Sequence, residues 1–549
     1  MKRPSFCPAL LVTAALFVAP VLASSVPALA DGYKVTKLVP GSAFHGVHGL
    51  GIGKDGTLYA GSVAGAALYK VDVAKGTAAV DIPSPVGMAD DIAFSPDGST
   101  MAWTGFLTGD LYSRKDGGAP KKLASKLPGI NSLAYRKDGR LYATQVFLGD
   151  ALYEIDNAGE KPPRKIMEKM GGLNGFEFGP DDKLYGPLWF KGQVVRVDVD
   201  KAELTVVADG FKVPAAVNFD SKGNLWVLDT ALGQLVRVDP KTGEKKVVAQ
   251  LKTSLDNLAI AKDDRIFVSN MADNGIQEVD PATGKVKQVI IGKLALPGGI
   301  AVVSDGGKDT IYVADTFAYR TVDGATGAVK DIARMHAHDA VLEYPLSATA
   351  GGDHVVLSSF STNTVQVLDR KTGKSLEMVH GLKAPHDAIR LKDGSLLVNE
   401  LGSKSLIRVS GEHGKDRKTV AGDLAGNIGL VMADDKSVYV TEAYAGQVTR
   451  INLADGAKTV VAKGLKMPEG LALAPGGKLV VAEVGARRVV EIDPKDGKVT
   501  EIAGNLPIGM APPPGMPPSN IPTGVAVGAN GTIYLSSDIE NAIYKIARK

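Results

Sequence analysis

Glu400, Glu442 and Glu483 each close a short apolar run (Val398-Asn399-Glu400, Val440-Thr441-Glu442, Val481-Ala482-Glu483) and recur at an interval of 41 to 42 residues. His386 and Glu469 each follow a proline, and His336-Ala337-His338 sets two imidazoles two residues apart, on one side of an extended segment. Carboxylates and imidazoles converging on one place shift each other's pKa values, the condition in which acid/base catalysis works near neutral pH. The expected catalytic set is His386, Glu469, Glu400, Glu442, Glu483 and His338. Earlier in the chain His48, Asp90, Asn131, Asn174, Ala215 and Asp256 recur at a similar interval, and five of these six carry an oxygen or imidazole donor.

That interval belongs to the elements that must position these residues. An apolar run, a Lys-Asp-Gly-like turn and a second apolar strand recur, with the second strand starting at Leu58, Thr100, Leu141, Leu184, Leu225, Ile266, Ile311, Val355, Leu396, Val438, Leu479 and Ile533. Twelve copies follow, mostly 41 to 45 residues apart with one gap of 54, which is the size of a four-stranded propeller blade. Pairs such as Asp97-Gly98, Asp138-Gly139 and Asn530-Gly531 suit tight hairpins. The predicted fold is all-β, two tandem six-bladed β-propellers with twelve four-stranded blades. Residues 31–284 form the first ring and 285–549 the second, with Gly32 to Val39 closing the sixth blade. The alternative, in which that strand joins the last blade and the rings are doubly connected, stays open. In a blade, the loop into the first strand and the loop out of the second open on one face, so both candidate sets belong around channel mouths. The long gap is an insert, Asn505 to Pro522, whose prolines keep it extended, like a semi-rigid lid over the second ring's mouth.

Gly299-Ile300-Ala301-Val302 followed by Ile311-Tyr312-Val313-Ala314-Asp315-Thr316 resembles NHL repeats and the senescence-marker/gluconolactonase group of propellers. Pro385-His386-Asp387-Ala388 and the three glutamate endings resemble streptogramin (virginiamycin B) lyases. The first resemblance implies a divalent cation, Ca²⁺ or Mg²⁺, at the first ring's mouth. Asn131 and Asn174 match the group's two asparagines, His48 stands in place of a glutamate and Ala215 in place of an aspartate. Asp90 and Asp256 would supply the missing carboxylates, so the expected metal set is His48, Asp90, Asn131, Asn174 and Asp256. The second resemblance implies proton abstraction by His386 and Glu469, although Leu471 replaces a second histidine and Ile428 interrupts the adjacent blade. The expected function is an exported metal-dependent hydrolase of lactonase or esterase type acting on a small molecule. The alternatives are a non-catalytic extracytoplasmic binding module and a C–O lyase.

Composition narrows the partners. The 549 residues hold 63 basic and 60 acidic side chains, a formal charge of +3 that gives no reason to expect nucleic acid. Met1-Lys2-Arg3, the apolar stretch Ala9 to Ala23 and Ala28-Leu29-Ala30 read as a signal peptide over residues 1–30, hence a periplasmic or extracellular chain with no membrane span after its removal. Cys7, the single cysteine, would leave with it. No nucleophile elbow, P-loop, dinucleotide fingerprint, zinc-protease or EF-hand motif is found. Aspartates closing third strands, such as Asp72 and Asp239, read as turn caps.

Overall fold

Within each repeat the strands differ in what they bury. In the fifth repeat Leu225–Asp229 is buried along its whole length, whereas Lys245–Gln250 is mostly exposed. A strand packed by neighbouring sheets on both faces must be apolar throughout, and a strand on the rim need not be. The computed structural model describes residues 28–30, 32–513 and 516–549. These form twelve four-stranded antiparallel sheets, one of them widened by a two-residue bridge, with no α-helix among the described residues.

The sheets are the blades of two rings. Blades 1 to 6 run from residue 47 to 290 and blades 7 to 12 from 300 to 548. The first ring closes where Val47–Ile52 packs against Leu255–Ile260, and the second where Ile300–Asp305 packs against Val525–Val527. Innermost strands come close enough to require glycine. A Cβ at Gly470 would lie 2.5 Å from the Thr523 carbonyl oxygen, and one at Gly524 only 2.4 Å from the Ile300 nitrogen. Between blades the core is a series of apolar layers, such as Ala216, Trp226, Leu228, Leu258 and Val268 between blades 5 and 6.

The closing strand departs from the expected division at residue 284. Blade 6 is complete from its own four strands, Leu255–Ile260 through Val286–Ile290. Tyr33–Val39 instead pairs antiparallel with Ala542–Arg548 and completes blade 12, Val35 facing Ile546. The chain therefore starts in the second ring, builds the first, and returns. The physical reason is edge satisfaction: blade 12 supplies only three strands of its own, so its open edge takes the strand that blade 6 does not need. The signal-peptide residues lie outside the described residues except for Ala28–Ala30, and Cys7 lies outside them too. Ala28–Leu29 bridges to Gly504 and Ala503 on blade 11.

The rings meet with their loop faces against one another. Arg334 of blade 7 pairs with Asp273 of the first ring (2.8 Å) and donates to Asn270 Oδ1 and the Thr253 carbonyl (2.9 Å each). Ser254 Oγ donates to the Met335 carbonyl (2.6 Å). Leu296, Leu346 and Ile521 form a buried apolar joint, with Ala64 of the first ring packed against it.

Candidate functional site at the mouth of the first ring

The residues that close second strands share one structural task. Glu400 accepts the Lys383 N–H (2.9 Å), Glu442 the Ala425 N–H (2.8 Å) and Glu483 the Lys466 N–H (2.6 Å), each from the loop leading into the first strand of its own blade. Asp229, Asp315 and Asp538 hold the corresponding loops of blades 5, 7 and 12 in the same way. In blades 3 and 6 the roles reverse, with Gln145 and Asn270 donating to the carbonyls of Pro128 and Thr253. A buried backbone N–H needs an acceptor, and a carboxylate at this turn supplies one. The expected convergence of Glu400, Glu442 and Glu483 on the mouth is corrected accordingly: one oxygen of each is engaged by loop backbone and the other by the Ser403, Thr449 or Arg488 side chain.

His386 and Glu469 hold equivalent positions in blades 9 and 11, with Ile428 at that position in the blade between. No hydrogen bond joins them. His386 is stacked on Phe360 (centroids 5.0 Å apart, 11° between planes), and both ring nitrogens lack a partner. Burial pushes its pKa down to about 4, so the ring is neutral. Glu469 accepts the Thr523 N–H (2.7 Å), and burial pushes it up to about 8. It lines the second ring's channel, a cavity of about 320 Å³ shared with Ser347, Asp387 and Arg390. The proline insert abuts this region, with Leu506, Ile508 and Ile521 buried.

The His336/His338 segment lies elsewhere than expected. It connects blades 7 and 8 of the second ring yet reaches the first ring's mouth, where the His338 N–H donates to the Ala231 carbonyl of blade 5 (3.2 Å). His336 stands edge-on to Trp189 of blade 4, and its other neighbour is Tyr344 (centroids 6.1 Å). Phe317 packs between Tyr344 (5.9 Å) and His48 (5.3 Å). The connection thus covers His48, Asp90 and Asp256.

Asp256, His336 and Tyr344 each stay partly accessible, His336 lying against Trp189 and Tyr344. His48 directs Nδ1 at the Gly46 carbonyl (2.8 Å), which leaves Nε2 without a partner. Burial pushes His48 and His336 down to about 4. Burial, then the Asp256 and Asp91 charges, push Asp90 well above the carboxylate range, and burial pushes Asp256 to about 7. Among the described residues neither carboxylate of this pair has a hydrogen-bond partner, and no basic side chain contributes to either shift. One position deeper, Asp91 accepts the Ile92 and Leu133 N–H groups and the Asn257 amide, a bracket across the channel; Asp387 repeats it in the second ring with Ala388 and Leu430.

The five expected metal ligands come to one mouth but do not fit a divalent cation. The Ser132 hydroxyl lies 2.8 Å from Asn131 Oδ1 and 3.0 Å from Asn174 Oδ1, and the Gly175 N–H also donates to the latter (2.9 Å). Among the described residues no three His, Cys, Asp or Glu side chains are arranged to hold a metal. Trp189, Phe317, His336 and Tyr344 were outside the expected set. The aromatic positions after second strands (Phe106, Phe147, Phe190, Phe317, Phe360) recur at 41 or 43 residues within each ring and were the available signal.

Residues 191–460 match the PQQ_2 family, described as outer membrane protein assembly factor BamB. No curated protein matches the chain. Among solved structures, the chain is similar to the extracellular domain of a hybrid two-component system from B. thetaiotaomicron, at 11% identity over 94% of this chain and 82% of that one, TM-score 0.34. It is also similar to the tricorn protease (14% identity, 92% and 61% covered, TM-score 0.36) and to virginiamycin B lyase from Staphylococcus aureus (14%, 61% and 95%, TM-score 0.25). The twelve four-stranded sheets make the chain a propeller protein, and the likeness to BamB-type repeats spans residues 191–460. No helix among the described residues is long and apolar enough to cross a membrane.

Proposed function

We propose that the chain is an exported, non-catalytic binding module whose ligand site is the first ring's mouth, beside the 335–344 connection. The observation that carries this reading is the fate of the titratable groups. Glu400, Glu442 and Glu483 are occupied by loop backbone. His386 is neutral and without a partner. Asp90, Asp256 and His48 Nε2 are the polar groups left open to a ligand, under an aromatic cover. Export rests on the basic-then-apolar N-terminal segment, and the match to BamB-type repeats is consistent with an extracytoplasmic scaffold. Thermal-shift and calorimetric titration of the secreted chain with sugars, carboxylates, amines, lactones and esters should find a ligand that binds without turnover. Reproducible hydrolysis of a lactone or ester would overturn the reading.

A second reading, the expected small-molecule hydrolase, has one supporting observation. Glu469 lies in the second ring's channel as a carboxylic acid that stays protonated at neutral pH, a form able to donate a proton to a leaving group. Glu469→Gln removes that proton. It should abolish any lactonase or esterase activity if this reading holds, while leaving ligand binding at the first ring intact.

A further inference from the structure

The second ring's channel, the cavity of about 320 Å³ that holds Glu469, is closed at one end and open at the other. At the end facing the first ring, Ile428, Glu469 and Thr523 are at most 2% exposed, and Leu346 and Ile521 there join the apolar contact between the rings. At the far end each innermost strand presents the residue that pairs with the start of its second strand: Val302, Ala350, Arg390, Met432, Leu473 and Val527. All six line the channel and all are partly exposed. A ligand therefore enters from the face turned away from the first ring.

Arg390 is the one charged residue in that outer circle. Among the described residues its guanidinium has no hydrogen bond or ion pair, whereas Lys392 and Asp393 of the turn that follows are paired, with Asp435 (2.8 Å) and Arg408. His354, the other basic residue of the wall, has Nδ1 against Asp353 (3.3 Å). An unpaired planar fork of N–H donors among apolar side chains suits a carboxylate, which it grips bidentately; a phosphate dianion would call for a second cation. Inward from Arg390 the wall is apolar, with Ile389, Leu430, Leu471 and Val525. The closed end is polar again. Asp387 is already bracketed by Ala388 and Leu430, but Glu469 accepts the Thr523 N–H through Oε2 alone, and the buried Thr523 hydroxyl has no partner. Four residues separate Glu469 from Leu473 on the outer circle, about 13 Å of strand at roughly 3.3 Å each. A cavity of about 320 Å³ holds roughly ten non-hydrogen atoms at about 30 Å³ each, the share of one water in the liquid.

We propose that this channel is a second binding site, for a medium-chain carboxylate with a hydroxyl at its far end: the carboxylate on Arg390, the methylene chain along the apolar wall, and the hydroxyl between Glu469 and Thr523. A hydroxyl both donates and accepts, so it pairs with the Glu469 carboxyl and the Thr523 hydroxyl together. The site is separate from the first ring's mouth and does not rest on the reading given for that mouth.

The test is calorimetric titration of the whole secreted chain with 8-hydroxyoctanoate, octanoate, 1,8-octanediol and 8-amino-1-octanol. 8-Hydroxyoctanoate should bind at one site per chain. Octanoate should bind about three- to tenfold more weakly, the worth of one neutral hydrogen bond, and the diol and the amine at least about tenfold more weakly. Arg390→Met gives blade 9 the residue that blade 10 carries at the same position, so it should keep the fold and lose at least about tenfold in affinity for the acid. Ala350→Trp fills the open end with every charge retained, and should block binding. If no carboxylate binds, or if the diol binds as tightly as the acid, the proposal falls. If both variants bind the acid as the parent does, the channel is not its site, and the reading of the first ring's mouth stands untouched. Equal affinity for octanoate and 8-hydroxyoctanoate would overturn the hydroxyl's place at Glu469.

Discussion

His336 of the second ring stands edge-on to Trp189 of the first, with ring centroids 5.0 Å apart and planes at 89°. This contact links the cover to the ring it covers, and Trp189 is 8% exposed. Replacing a buried tryptophan by alanine costs about 3 to 5 kcal/mol when the site cannot collapse. Trp189→Ala should lower the first ring's unfolding midpoint in urea, and limited proteolysis should then cut within 335–344 faster than in the parent. An unchanged cutting rate would mean that the cover is held without Trp189, by Ser254, Arg334 and the His338 contact to Ala231.

The closing strand sets which pieces of the chain fold. A fragment of residues 285–549 lacks Tyr33–Val39 and exposes the edge of Ala542–Arg548, so it should aggregate on size-exclusion chromatography. A permutant that joins residue 549 to 32 through a short linker, with new ends in the 291–299 connection, should stay monomeric and unfold cooperatively. If the simple 285–549 fragment behaves as well as the permutant, the pairing of Val35 with Ile546 is dispensable.

The second-strand carboxylates should behave as loop locks. Glu442→Ala strips acceptors from the Ala425 N–H, Gln447 and Thr449 inside the protein. Leaving buried donors unsatisfied costs about 1 to 3 kcal/mol, so calorimetry should show a lower Tm with ligand affinity at the first ring unchanged. A loss of binding or of any activity at unchanged stability would return Glu442 to a chemical role.

Stability should depend on pH through Glu469. Its folded pKa, about 8, lies above the unfolded value, so its contribution is complete below about pH 4.5 and is lost as pH rises toward 8. The slope for one such group is at most about 1.4 kcal/mol per pH unit. Glu469→Gln, which keeps an acceptor for the Thr523 N–H, should match the parent near pH 5 and exceed it in denaturant midpoint at pH 8.5. Parallel profiles for the two proteins would show that the carboxyl ionises as freely as in water.

The blade count was legible because hairpin chemistry repeats locally: Asp97-Gly98 and Asn530-Gly531 mark the same turn in blades 2 and 12. Ring closure was not, since Tyr33–Val39 has the half-exposed pattern of any outer strand and its partner lies near residue 546. The spacing of Glu400, Glu442 and Glu483 was read correctly as one blade position, but residue type alone does not say that the carboxylates turn to loop backbone. His48, Asp90 and Asp256 were placed together at one mouth by the repeat. Their cover was hidden because His336 and Tyr344 belong to the other ring, and no period in the sequence relates the two.

The return of the chain to the ring in which it began has a consequence for timing during synthesis. The first ring, residues 47–290, can seal as soon as its sixth blade has emerged. Tyr33–Val39 must wait, solvated and unpaired, until almost everything else has been made, because its partner is Ala542–Arg548. Tethering two segments so far apart adds little entropy beyond a loop of moderate length, since the cost grows only with the logarithm of the span, but it makes this zipper the last and slowest long-range event. Newly made protein should therefore pass through a half-finished intermediate, one ring shut and the other ajar, whose lifetime is set by how soon the two ends meet.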